Sequence, residues 1–347
     1  VEAFARHAPE GYDVGIECTH HGPTDVAAPS LFVELGSDEP QWEDADAARA
    51  VARAVLDLRG TGADLPDAET GAADGDAAAR PRHGVGFGGG HDAPRFTRIV
   101  RETEWAVGHV AADWGLGDLG APEANRDVID AAFRRSRADH AVIDGDRPDL
   151  AAVVEDLGHR VVSETWVRAV GETPIPLVER LETAIGPVDE GLRFGAVEAV
   201  DPAGVAVRDL PADLLARAQG LDADAAREAV ESVAVAFGTE QGGSRAAGSV
   251  ALATAPNTPG YADLVAALAA VLEARYDAVE LRQERNAVVA RETAFDPELA
   301  AERGVPEGPA FGRLAGGESV AVDGETVDPD DVSRTRTDRF PVEGPLD

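Results

Sequence analysis

Between residues 12 and 165 short apolar runs alternate with longer amphipathic stretches, the pattern by which strands and helices take turns in an α/β domain. Strands are expected at 13–17, 30–35, 84–87, 141–143 and 159–162. A helix is expected over 42–58, preceded by the acidic Ser37-Asp38-Glu39, and two more over 122–137 and 148–157. The last two open on a proline, which costs little in a first turn whose N–H lacks an intrahelical partner anyway. Residues 60–80 are Gly, Ala, Asp and Thr without periodicity, and a flexible surface insertion is expected there. After Thr173-Pro174-Ile175-Pro176 the character changes. Residues 177–292 read as mostly helical, with Ala- and Leu-rich helices at 212–236 and 261–289, followed by a turn-rich, β-like unit over 304–332. The organisation expected is a first domain over 1–170, a mainly helical extension over 171–292, and a small unit with a tail over 293–347.

Charge adds a second constraint. The 31 basic residues are all Arg, against 65 acidic ones, for a net charge of -34. Such self-repulsion opposes a compact state unless salt screens it, to within about 3 Å at 1 M, so a surface adapted to concentrated salt is expected. Disorder is disfavoured, because 44% of residues are hydrophobic and their runs are periodic. The single cysteine, Cys18, excludes an internal disulfide and a cysteine-built zinc finger, and suits a reducing cytoplasm. No apolar run approaches the roughly 20 residues of a membrane helix. The chain starts at Val1 and has no Met, so a missing natural N-terminus is expected.

Three clusters carry candidate chemistry. Glu17-Cys18-Thr19-His20-His21-Gly22-Pro23-Thr24 follows an apolar run, at the end of a strand where open α/β sheets hold ligands. Imidazoles with a carboxylate can bind zinc or pass protons, although neighbouring histidines in extended chain point opposite ways and two hydrogen-bonded loop histidines are the plainer alternative. Gly84-Val85-Gly86-Phe87-Gly88-Gly89-Gly90-His91 continues into Asp92-Ala93-Pro94-Arg95-Phe96-Thr97. The glycines let backbone approach a ligand, and Pro94 can open a helix. Gly84, Gly86 and Gly89 match a dinucleotide fingerprint, a weak signal alone, while a P-loop is excluded for want of lysine. The third cluster is Glu34 inside an apolar run, either functional or facing solvent at a sheet edge. His109, in an apolar setting, reads first as a core histidine, and Cys18 near His20 is a poor case for a thiol nucleophile.

Taken together, Glu17, Thr19-His20-His21-Gly22-Pro23, Pro29-Ser30, Phe32-Val33-Glu34, Gly36-Ser37, Trp42, Gly86-Phe87-Gly88-Gly89-Gly90-His91, Ala93-Pro94-Arg95-Phe96-Thr97 and Gly108-His109 resemble the archaeal and plant D-aminoacyl-tRNA deacylases over about residues 12–165. Asp92, where the family pattern leads one to expect an aromatic residue, and the long 60–80 insertion depart from it. The resemblance implies hydrolysis of the ester between a D-amino acid and the tRNA 3′ end, a zinc cofactor, and an α/β fold with a mixed sheet flanked by helices, like the phosphorylase and peptidyl-tRNA hydrolase group. Glu17, His20 and His91 are the expected metal ligands. His20, His21, Glu34 and His109 are candidate catalytic groups, and Gly88, Gly89, Gly90, Arg95 and Thr97 candidate substrate contacts, with Arg98 a second nearby cation. The implied partner is the acceptor end of charged tRNA, with neither membrane nor DNA involved, for a cytoplasmic monomer. A metal-dependent amidohydrolase of small molecules and a noncatalytic tRNA-binding protein are the alternatives. The stretch 304–320 looks like one found in tRNA 3′-processing nucleases of the metallo-β-lactamase type, whose His-x-His-x-Asp-His motif is absent here.

Overall fold

The computed structural model describes residues 1–22, 30–61, 82–322 and 324–343, so most of the expected flexible insertion lies outside the described residues. The chain divides after Pro176 into two compact units, with no further division near 292.

The first unit contains α1 (Glu2–His7), α2 (Glu39–Trp42), α3 (Ala45–Asp57), β1 (His83–Phe87), α4 (Pro94–Glu102), β2 (Ala106–Ala111), α5 (Asp113–Leu119), α6 (Arg126–Ser136), β3 (His140–Ile143), α7 (Pro148–Asp156), β4 (Arg160–Val161) and α8 (Glu164–Val170). Its four strands lie in the order β2-β1-β3-β4, all parallel among the described residues, which corrects the expected mixed sheet. Every residue of central β1 is buried, as in parallel sheets covered by helices on both faces. One core holds Val85, Phe87, Ile129, Phe133, Leu150 and Val154. Trp105 and Trp166 pack edge to face at 5.7 Å beside buried His140.

The expected strands at 84–87, 141–143 and 159–162 are present as β1, β3 and β4 within a residue or two. Two others are not. Residues 13–17 join no ladder; their apolar run is anchored instead by single bonds, Ile16 N–H to Thr97 Oγ1 (3.0 Å) and, just beyond, Cys18 N–H to His91 O (2.8 Å). Residues 30–35 form no strand either, and Leu31 and Phe32 are exposed, so an apolar run without a ladder partner imitated a strand. Strand β2 escapes sequence reading because Gly108 and His109 interrupt its apolar run. The 42–58 helix is two helices: Asp38 caps α2, and Asp44 accepts from the Asp46 and Ala47 amides to start α3.

The second unit begins within α9 (Ile175–Ala184) and continues with β5 (Arg193–Phe194), β6 (Val205–Asp209), α10 (Ala212–Leu221), α11 (Ala223–Glu231), β7 (Ala236–Glu240), β8 (Arg245–Ala253) and α12 (Tyr261–Leu272). It ends with β9 (Ala278–Arg282), β10 (Ala287–Phe295), α13 (Pro297–Glu302), α14 (Pro309–Ala315), β11 (Val320–Val322), β12 (Glu325–Val327) and β13 (Ser333–Pro341). The mostly helical expectation for 171–292 is corrected here. An antiparallel sheet β5-β7-β8-β6 and two strands of a second sheet, β13-β10-β9, occupy much of that range. The Ala/Val runs carry both periodicities, and turn chemistry decides between them: Asn286, at φ 41, closes the β9–β10 hairpin inside the expected 261–289 helix. Helices α10, α11 and α12 contribute Leu214, Val230, Leu264 and Leu268 to one core with Phe237, Val250, Val288 and Phe340. The tail is part of this fold, since β10 pairs with β13 from Ala287↔Pro341 to Phe295↔Ser333. A small satellite core of Val305, Leu314, Val320, Val327 and Val332 from 304–332 also takes in Ala300 of α13. Among the described residues no helix is long and apolar enough to cross a membrane.

Candidate active site

The glycine-rich turn leaves β1 at its C-terminal end, where parallel strands commonly present ligand sites. Gly88 adopts φ 97, and its N–H donates to Ala111 O (2.8 Å) while Asp144 N–H donates to Phe87 O (2.7 Å). These bonds wedge Gly88 between the ends of β2 and β3, so that a Cβ there would stand 2.3 Å from Asp144 O. Gly89 exchanges backbone bonds with the next turn: its N–H donates to Asp113 Oδ1 (2.8 Å) and its carbonyl accepts from Asp113 N–H (2.9 Å). Gly88→Ala is therefore expected to destabilise the protein by about 3 kcal/mol through strain and overlap. Gly90→Ala, which meets nothing within 4 Å, should cost under about 1 kcal/mol. Denaturant titration in molar KCl compares the two, and equal losses would show that the turn is not wedged as described.

The turn delivers His91 to the loop carrying Glu17 and His20. The hydrogen bonds of Cys18 N–H to His91 O and of Thr19 N–H to Val110 O hold the two segments side by side. His20 Nε2 lies 3.2 Å from His91 Nε2, and Glu17 Oε2 lies 3.5 Å from the first and 3.8 Å from the second. Asp92 Oδ1 meets His91 Nδ1 at 2.8 Å, and with the charge of Glu17 this raises the His91 pKa above the usual imidazole value. An imidazole anchored at Nδ1 keeps Nε2 aimed at the cluster. Asp92 was legible only as a departure from the family pattern, yet it is the residue that orients His91.

His21 turns away from this triangle toward Glu34, Nε2 to Oε1 at 2.6 Å, with its ring 4.0 Å from that of His20 and 5.2 Å from that of Phe32. Glu34 thus joins the cluster from an irregular segment. His109 does not join it: its Nδ1 bonds Ser136 Oγ (2.9 Å) on α6, and burial lowers its pKa. The expected substrate contacts are largely engaged within the protein. Thr97 Oγ1 accepts from Ile16 N–H. Arg95 pairs with Asp144 (3.2 Å) and Glu164 (3.4 Å), and Arg98 also pairs with Glu164 (3.1 Å). The Gly88 and Gly89 amides are used as above, which leaves Gly90 as the glycine of the three whose N–H has no acceptor among the described residues. Cys18 is 4% exposed, and burial followed by the charge of Glu17 pushes its thiol pKa up, against a thiolate nucleophile.

The donor set fits a metal ion. Zinc bonds of about 2.0–2.1 Å in tetrahedral geometry separate donor atoms by roughly 3.4 Å, and the Glu17, His20 and His91 atoms are spaced at 3.2 to 3.8 Å. Glu17 is common to two potential metal-holding groups, one with His20 and His21 and one with His91 and Asp92, each within 4.8 Å. Against this, His20 Nδ1 is buried without a hydrogen-bond partner among the described residues.

Comparison with known proteins agrees with the sequence resemblance. The family model for D-aminoacyl-tRNA deacylase matches residues 1–162. A D-aminoacyl-tRNA deacylase of Halorubrum lacusprofundi is 72% identical over 348 residues, covering 100% of this chain and 70% of its own length. Those of Natronomonas pharaonis and Methanoregula boonei are 52% and 33% identical, covering 98% and 99% of this chain and 72% and 74% of theirs. A crystal structure of a conserved protein of unknown function aligns at 28% identity over 48% of this chain and 55% of its own, with a TM-score of 0.38, too low to bear on the fold. On its identity and coverage, this chain belongs to the D-aminoacyl-tRNA deacylase family.

Proposed function

We propose that this protein hydrolyses the ester bond of D-aminoacyl-tRNA, releasing the D-amino acid and free tRNA. The observation that carries the reading is the 72% identity, over the whole chain, to a protein named for that reaction. The site has the chemistry it needs. Glu17, His20 and His91 form the shell that would hold zinc, with Asp92 keeping the proton on His91 Nδ1 so that Nε2 stays available. Zinc in such a shell supplies Lewis acidity toward water and toward an ester carbonyl. The departing ribose oxygen needs a proton, and His21, sharing one with Glu34 beside His20, is the acid that supplies it. The Gly90 amide is the backbone donor left to stabilise the carbonyl oxygen. His109, tied to Ser136 on α6, has no part in this proton path. The same reading assigns the first unit to the phosphorylase and peptidyl-tRNA hydrolase group, supported by its parallel strands flanked by helices, and places the protein in the cytoplasm, where charged tRNA occurs.

The test is turnover in molar KCl on D-tyrosyl-tRNA against the L-form. Release of D-tyrosine is expected to be much the faster, to stop on treatment with a chelator, and to return with zinc. Equal rates on the two substrates would sink the deacylase reading, and chelator-resistant turnover would sink the metal.

A further inference from the structure

One surface of the second unit runs against the charge of the rest of the chain. The sheet β13-β10-β9 buries one face, since Val288, Ala290 and Phe340 lie in the core with Val279 packed against it. The register pairs Val288 with Phe340 and Leu281, and Ala290 with Val279, which places these residues on one side. Side chains alternate along a strand. The other face therefore carries Arg282 from β9, Arg291 and Thr293 from β10, and Thr335, Thr337 and Arg339 from β13. Five of these six are exposed and Arg291 is partly so. Glu280 is the one carboxylate that the three strands place on this face, and it pairs with both Arg282 and Arg291. Arg339 bonds only the carbonyl of Arg285 (3.4 Å) among the described residues. Over the whole chain 65 carboxylates face 31 arginines; on this face three arginines meet one carboxylate. Thr293 and Thr335 share a hydrogen bond of 3.0 Å across the strands, and with Thr337, which pairs with Arg291, they extend the face beyond the guanidinium groups.

We propose that this face binds the sugar-phosphate backbone of tRNA, an inference that rests on tRNA being the substrate. Guanidinium forks and hydroxyls are the donors that phosphate oxygens accept from, and they hold a duplex without reading its sequence. In the first unit Arg95 and Arg98 are already paired with Glu164. A polyanion approaching a chain of net charge -34 has to be held by arginines that keep charge to spare.

The experiment measures binding of fluorescent, uncharged tRNA by anisotropy from about 0.5 to 2 M KCl, with circular dichroism as the check on folding. The triple variant R282Q/R291Q/R339Q is compared with R49Q/R126Q/R134Q, which removes the same charge from ion-paired arginines of α3 and α6 that are exposed or, for Arg126, partly so. Loss of three phosphate contacts should flatten the slope of log K against log salt by about 3 and weaken binding about six-fold at 0.5 M, while the control behaves like the unsubstituted protein. In turnover on D-aminoacyl-tRNA, KM should rise and kcat hold. A face variant that binds like the control, or an unsubstituted protein that binds no tRNA, overturns the inference. If the unsubstituted protein shows no deacylation while the face variant still loses tRNA, the deacylase reading falls and this surface stands. Normal deacylation with an unmoved KM gives the reverse.

Discussion

His20→Ala and His91→Ala are each expected to lower deacylation of D-aminoacyl-tRNA by roughly 10² to 10⁴, with the fold intact. The size follows from losing a metal ligand or proton carrier, an interaction worth roughly 3 to 5 kcal/mol in the transition state. The fold should survive because both residues sit in irregular segments, His91 just beyond the end of β1. The His91 side chain is 52% exposed, and what anchors its loop is backbone, the bond from Cys18 N–H to His91 O, which alanine keeps. His20 is less exposed, at 15%, but its buried Nδ1 has no partner among the described residues to strand. Cys18→Ala should remain active, since its thiol is buried with a raised pKa. Rates on D- and L-tyrosyl-tRNA, with circular dichroism as control, check all three. Near-normal turnover of either histidine variant removes the triangle from the mechanism, and a dead but folded Cys18→Ala reopens a thiol pathway.

Asp92→Asn separates orientation from ligation and belongs beside these variants. Its amide can still contact His91 Nδ1, but the carboxylate bond that does most to raise the His91 pKa is gone, while the charge of Glu17 remains. The expected loss is smaller, about 10- to 100-fold in metal affinity or rate.

The site was more legible in the sequence than the fold around it. Glu17, His20 and His91 stood out because polar, titratable residues interrupt apolar runs and glycines, and a position that breaks the local pattern carries its own signal. That His20 and His91, 71 residues apart, approach to 3.2 Å comes from two backbone bonds, Cys18 N–H to His91 O and Thr19 N–H to Val110 O, for which no periodicity exists to read. Arg95 and Thr97 show the opposite case. Their residue types invited an RNA contact, yet Arg95 pairs with Asp144 and Glu164, and Thr97 holds the backbone of Ile16. A residue type fixes what a side chain can bind, whereas its tertiary neighbours fix whether that capacity is already used. In the second unit the error lay in period: Ala-rich segments such as 223–231 are helical, but Val279, Val288 and Val289 in similar surroundings entered strands because Asn286 turns the chain between them.

Lowering KCl from about 2 M should lower the melting midpoint steadily and unfold the protein before roughly 0.1 M. The charge excess sets the direction. With 65 carboxylates and 31 arginines, even complete pairing would leave 34 negative charges without a partner. Pairing is in fact extensive, for example Arg126 with Glu123 and Asp156, Arg168 with Glu102 and Glu164, and Arg291 with Glu280. The remaining carboxylates repel one another over about 3 Å at 1 M salt but over about 10 Å at 0.1 M, a distance that spans neighbouring helices. Against that repulsion stand cores rich in small side chains, such as Ala218, Ala226, Ala234, Ala246 and Ala269 in the second unit, which bury little area each. The relatives in Halorubrum and Natronomonas belong to halophilic archaea, in keeping with a fold balanced for concentrated salt. Potassium chloride is the salt to use, because a strongly excluded salt such as sulfate would stabilise burial by itself and mask the screening. A melt followed by circular dichroism in steps of KCl measures the effect, and a midpoint unchanged down to about 0.1 M would show that the acidic surface does not depend on salt for the stability of this fold.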